Sequence, residues 1–183
     1  LIVRLSSFGD VVKSTPHQFL YGECVRVLPD EAIDFAFLPP PSQRKEGAAL
    51  HGMRTGRDAK DFDLWLVSNS YAVELINLPY LLHLAGIPMR GGQRDASAPL
   101  VVMGGSNAMA SQAILYGPDE AMVDALYFGE GEYNVTSLVK ALSEVPRPQR
   151  RETLSALQRS MVGLKVFGTG EAPVRKAIFA DTS

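Results

Sequence analysis

The chain has 183 residues, 46% of them hydrophobic and 21% charged. That is enough apolar content for one ordinary domain with a substantial core, and too much for disorder throughout. Its 18 basic and 20 acidic side chains leave a formal charge of −2, which argues against a basic nucleic-acid binder. No apolar run approaches the roughly 18 residues of a membrane-spanning helix.

In chain order, residues 1–5 read as an apolar strand already under way, with neither an initiator methionine nor the charged stretch and cleavage site of a signal peptide. We therefore expect a segment of a larger, cytoplasmic protein. The strand runs into a turn of Ser6, Ser7, Phe8, Gly9 and Asp10. A weak helical stretch covers 14–28, a second strand covers 33–38 and ends in prolines, and a second weak stretch, 43–58, is interrupted by Gly47, Gly52 and Gly56. A third strand at 62–67 ends at Ser68, Asn69 and Ser70. An apolar helix over 72–85 stops at Gly86 and should kink at Pro79, which removes a backbone bond.

A fourth strand at 100–103 ends in Gly104, Gly105, Ser106 and Asn107, and a fifth at 123–128 ends in Gly129, Glu130, Gly131 and Glu132. A short helix follows over 134–142, then the Pro146 and Pro148 segment, a basic helix over 150–159 and a strand-like stretch over 172–180. The proline segment divides the chain into a main α/β domain, 1–145, and a linker or appendage, 146–183, expected to pack poorly alone, to lie across the sheet edge or to pair with another copy.

Near-continuous apolar runs bounded by Gly, Ser and Asn, alternating with helices, predict a mainly parallel five-stranded sheet of order 2-1-3-4-5 in a three-layer α/β fold. Ligands of such sheets bind outside the carboxyl ends of the strands. The candidate contacts are therefore Ser7, Gly9 and Asp10; Ser68, Asn69 and Ser70; Gly104, Gly105, Ser106 and Asn107; and Gly129, Glu130 and Gly131. The paired glycines allow close backbone approach. Each turn also has a plainer role as a helix cap.

Familiar motifs fail in turn. The 129–132 turn lacks the third glycine of a dinucleotide fingerprint, which falls at Asn134, and its carboxylates would repel a pyrophosphate. Glu132 is expected to complement the next helix N-terminus, and Glu130 to face a cleft. No Gly-Lys-Ser/Thr phosphate loop occurs, and His17, His51 and His83 stand too far apart for a metal motif. The single cysteine, Cys24, excludes an internal disulfide or a cysteine-ligated cluster within these residues and reads as a small buried hydrophobe. No catalytic set can be assembled.

Taken together, the strand at 62–67 with Ser68, the segment from Glu74 to Pro88, the strand ending in Gly104 and Gly105, and the "GEGE" turn at 129–132 resemble the N-terminal cobalamin-binding-type domain of radical S-adenosylmethionine (SAM) proteins. The resemblance covers residues 60–142 well and 1–38 more loosely. It implies a flavodoxin-like layer ahead of a barrel whose CxxxCxxC motif binds a 4Fe–4S cluster and S-adenosylmethionine. That motif is missing here, so the radical chemistry is expected downstream of Ser183. The histidine motif DxHxxG after the first strand is also missing, and His17 is the nearest histidine.

The resemblance thus implies an accessory, non-catalytic domain that binds cobalamin or a similarly placed small molecule. The alternatives are a non-binding scaffold that packs against the chain's own barrel or forms a homodimer, and a free-standing α/β enzyme. No membrane or nucleic-acid partner is indicated.

Overall fold

The structure is a computed structural model that describes residues 1–44, 48–111, 120–168 and 178. The described residues form a six-stranded sheet of order β2-β1-β3-β4-β5-β6. Its strands are β1 (Ile2–Arg4), β2 (Phe35–Phe37), β3 (Leu64–Ser68), β4 (Leu100–Gly104), β5 (Ala125–Tyr127) and β6 (Leu164–Val166). The first five are parallel, in the order expected from sequence. The sixth, which the sequence reading did not foresee, pairs antiparallel with β5. Gly163, at φ +90°, turns the chain into it, and Leu164 and Val166 are buried in the core.

Alternation along the strands feeds two apolar layers. Val3, Val67, Val101, Met103 and Leu126 face one side, where helix α3 (Leu78–Leu84) lays down Leu78, Leu81 and Leu82. Ile2, Leu66, Val102, Ala125 and Tyr127 face the other. There they meet α2 (Pro16–Cys24), α5 (Asn134–Ser143) and α6 (Arg150–Leu157), through Cys24, Val135, Leu138, Val139 and Leu154. This is the expected three-layer α/β arrangement.

Two expectations need correction. The single kinked helix over 72–85 is a 3-10 helix, Ala72–Asn77, followed by α3. Pro79 stands in the first turn of α3, where a missing N–H costs nothing, so it helps start a helix rather than kinking one. The stretch 48–58 is not helical: the Asp34 carboxylate accepts from the backbone N–H groups of Arg54 and Thr55 and from the Thr55 hydroxyl, gathering the segment into a turn. A Cβ on Gly52 would stand 2.2 Å from Asp34 Oδ2, which is why that position has no side chain. Residues 45–47 and nearly all of the strand-like stretch 172–180 lie outside the described residues. No helix among the described residues is long and apolar enough to cross a membrane.

Candidate functional site

Register aligns one row of residues across the carboxyl end of the sheet. Phe37 on β2 pairs with Arg4 on β1, Arg4 with Ser68 on β3, and Ser68 with Gly104 on β4. Being two residues beyond Ile2, Leu66 and Val102, the row faces the α2 and α5 side. A cavity of about 120 Å³ opens there. Its floor is Leu66, Ser68, Val102, Gly104 and Tyr127, its walls are Phe19 and Leu20 of α2 and Val135 and Leu138 of α5, and Gly105, Gly129 and Gly131 close its rim.

Ser68, Gly104, Gly105, Gly129 and Gly131 thus come together around one slot. The other candidates do not line it. Ser7 and Asp10 bond each other at 2.5 Å beside exposed Gly9, on the short helix α1 (Phe8–Val11). Asn69 donates to the Ser111 hydroxyl on α4 (Ala108–Ser111), whose own proton goes to the carbonyl of Asn107. These bonds tie the turn at 104–107 to β3. The exposed Ser106 hydroxyl donates to the Ser70 carbonyl. Glu130 is exposed outside the slot, and its backbone carbonyl accepts from the Tyr127 hydroxyl at 2.7 Å.

The glycine at 105 has a reason internal to the fold. It has φ +108°, and a Cβ there would stand 2.3 Å from the carbonyl oxygen of Asn69. Gly104 is different: a Cβ would make ordinary contacts of 3.5–4.0 Å with Tyr127. Gly104 therefore leaves slot volume open, while Gly105 lets two loops touch.

Four residues that shape this end were not singled out from sequence. Arg4 is 1% exposed on a central strand; it donates to the hydroxyls of Ser68 at 2.9 Å and Ser70 at 3.3 Å. Burial lowers its pKa, partly offset by the charge of Glu74. Glu74 is itself buried and accepts from the Ser6 hydroxyl and from the N–H groups of Ser70 and Tyr71, pinning the loop after β3 to the loop after β1. Tyr127, at the far end of the slot, accepts from the Asn134 amide at 2.7 Å, and burial pushes its phenol up.

Glu23 is the fourth. Its buried carboxylate accepts from the Tyr133 N–H at 2.9 Å and the Thr136 hydroxyl at 2.7 Å, at the start of α5. The carboxylate at this helix N-terminus is therefore Glu23, from α2, while Glu132 is exposed. The place where a parallel α/β fold would hold a phosphate is already filled by the protein's own anion. For Arg4 the signal was in the sequence, as a charge breaking an otherwise apolar strand; for Glu23 there was none.

His17 is buried, edge-on to Phe35 and Phe37 at ring distances of 6.2 and 5.7 Å. Burial, with the charge of Arg4, lowers its pKa. Cys24 is buried, and desolvation pushes its thiol up to about 11, as befits a packing residue. Among the described residues no group of three His, Cys, Asp or Glu side chains is placed to hold a metal ion. Two other cavities, of about 150 and 430 Å³, lie at the amino ends of the strands, the end at which such sheets do not bind ligands.

The family described as radical SAM proteins, N-terminal, matches residues 17–164. The chain belongs to that family. It is thus the accessory N-terminal part of a radical SAM protein, and the slot lies within the matched region apart from Pro16. No curated protein and no solved structure matches the chain.

Proposed function

We propose that this radical SAM N-terminal domain is a ligand-binding layer whose slot holds the apolar body of a small molecule at the carboxyl end of the sheet. The observation that carries this reading is the slot itself: an apolar opening between two helices and a glycine-bearing strand end, at the crevice where open α/β sheets bind ligands. A 4Fe–4S cluster needs several thiolates, and the sequence has one cysteine, Cys24, so this reading assigns no cluster to these residues.

Cobalamin, the cofactor named by the sequence resemblance, does not fit these residues. The slot is close in size to the roughly 150 Å³ cavity that admits one benzene ring and is open at its mouth, so a single ring can enter it while a corrin is far too large to do so. The imidazole of His17, the nearest histidine, is boxed in by Phe35 and Phe37 instead of being offered to a ligand. A compact, ring-sized body suits the slot better.

Amide NMR of the chain with benzyl alcohol, and in a separate titration hydroxocobalamin, tests this reading. Benzyl alcohol at millimolar concentration should shift the amides of Ser68, Gly104, Gly129 and Gly131, and Gly104→Val should abolish those shifts in a folded protein. Saturable binding of hydroxocobalamin, or unmoved slot amides with benzyl alcohol, would sink the reading.

A specific observation also supports packing against the barrel. Tyr71, Val73, Ile76 and Met109 are 68–78% exposed on the shoulder made by the loop after β3 and by α4. We propose that this shoulder meets the catalytic barrel of the same protein. Val73→Asp with Ile76→Asp should then loosen the two parts of the complete radical SAM protein toward proteolysis, without moving the slot amides' response to benzyl alcohol.

A further inference from the structure

A parallel strand covered on both faces normally carries apolar side chains throughout. β1 carries Arg4, 1% exposed, at the one end of the sheet where ligands bind. Arginine stays protonated in proteins, so its charge cannot be relieved by losing a proton. The guanidinium has five N–H donors. Two polar contacts are made, Nη1 to the Ser68 hydroxyl and Nη2 to the Ser70 hydroxyl, and the buried Nε has no partner.

Among the described residues no carboxylate pairs with it directly. Glu74, the acid whose charge it feels, spends its oxygens on Ser6 and on the N–H groups of Ser70 and Tyr71. A second buried nitrogen, His17 Nδ1, is also without a partner, and its ring feels the charge of Arg4. A buried cation left with two neutral hydroxyls is costly unless something else supplies the anion.

Ser68 links this cation to the slot, because it is both the partner of Nη1 and part of the slot floor. We propose that the slot's ligand is a ring-sized apolar body bearing one anionic group, a carboxylate or a phosphate, and that Arg4 with Ser68 binds that group at the β1 side of the slot. The proposal rests on the slot being the binding site and adds the charge and the orientation of what enters it. Arg4 lies behind the slot lining, so the anion takes its place beside the Ser68 hydroxyl, through which the guanidinium acts on it, while the ring lies toward Val102, Gly104 and Tyr127. The N-terminus of α5 offers no rival anion site, because Glu23 fills it.

The test compares three one-ring probes on the 183-residue chain by amide NMR titration: benzoate, phenyl phosphate and benzyl alcohol. One or both anions should bind at least tenfold more tightly than the neutral alcohol, and which of the two is preferred separates a carboxylate from a phosphate ligand. Arg4→Met, similar in length and uncharged, should remove that tenfold preference while keeping the weak response to benzyl alcohol. Equal binding of all three probes by the wild-type chain overturns the anion assignment and leaves the slot reading standing. Failure of all three to move the slot amides overturns the slot reading as well. An anion preference that survives in folded Arg4→Met overturns the role of Arg4. Should that variant not fold, Ser68→Ala replaces it, and an undiminished preference there overturns the proposal equally.

Discussion

Two arginines are buried among the described residues, and they are treated in opposite ways. Arg94, with a fully buried side chain, meets the Asp124 carboxylate at 3.1 Å and donates to the carbonyls of Pro88, Met89 and Met122. Asp124 in turn accepts from the Val101 N–H at 2.7 Å and from Arg151 of α6 at 2.6 Å. That cluster pairs its charges internally, although Arg151 Nη2 is buried without a partner, and it fastens β4, the segment before β5 and α6 together. Arg4 has two hydroxyls and an unpartnered Nε. The contrast separates a charge retained for architecture from one whose complement is not among the residues around it. A buried charge in a fold normally has an opposite charge beside it, so a buried guanidinium without one at the binding edge carries information about function.

Breaking the Asp124 cluster should have the largest effect. Asp124→Ala leaves Arg94 buried without its carboxylate, releases Arg151 and frees the Val101 N–H. Removing one partner of a buried pair costs about 3–5 kcal/mol, a substantial fraction of a domain's stability, so the urea midpoint should fall markedly. A variant as stable as wild type would mean that water reaches the cluster and that the two arginines are not so different.

Next in size is Gly105→Ala. A non-glycine residue at φ +108° costs about 1–3 kcal/mol in backbone strain alone, and its Cβ would also press on the Asn69 carbonyl. Loss of probe binding in that variant would report damage to the fold, so Gly104→Val is the cleaner way to fill the slot. Arg4→Met should do the reverse of Asp124→Ala. Replacing a poorly compensated buried charge with an apolar side chain of similar length is often neutral or stabilising, so its stability should lie within about 1 kcal/mol of wild type or above it. A loss as large as that of Asp124→Ala would make Arg4 an architectural residue.

How much of this was legible beforehand follows from range. The five parallel strands and their order could be read because each is a local apolar run closed by a local turn signal, and parallel pairing through helices then restricts the order. β6 was not legible: three residues with lysine in the middle have no pattern of their own, and they become a strand only because β5 offers an edge. At the site, the turn glycines could be seen but their individual reasons could not. Gly105 is fixed by a carbonyl 36 positions away, and the carboxylate capping α5 comes from Glu23, 110 residues from Tyr133. Arg4 was visible as an interruption in an apolar strand, yet its meaning depends on which partners surround it, and those lie more than 60 residues away.

The smallest expected effect sits beside Arg4 and links the two questions of stability and binding. Burial, helped by the charge of Arg4, lowers the pKa of His17 below the ordinary imidazole value near 6.5. The folded state therefore binds fewer protons at this site than the unfolded state over the window between the two values. Stability is full above about pH 6.5 and falls as the pH drops through the unfolded value toward the folded one, with a slope of at most about 1.4 kcal/mol per pH unit for a single proton. Asp34 and Asp63, also lowered, lose their contributions only in the carboxylate range further down. His17→Phe keeps an aromatic ring against Phe35 and Phe37 and removes the titration, so urea midpoints of variant and wild type should diverge between pH 7 and pH 5 and run parallel above pH 7. Parallel curves throughout would show that His17 is not held neutral by its surroundings. An anion seated beside Ser68 cancels part of the Arg4 charge that depresses this imidazole. Phenyl phosphate or benzoate should therefore raise the His17 pKa read from its ring proton shifts, while benzyl alcohol in the same slot should leave it where it was.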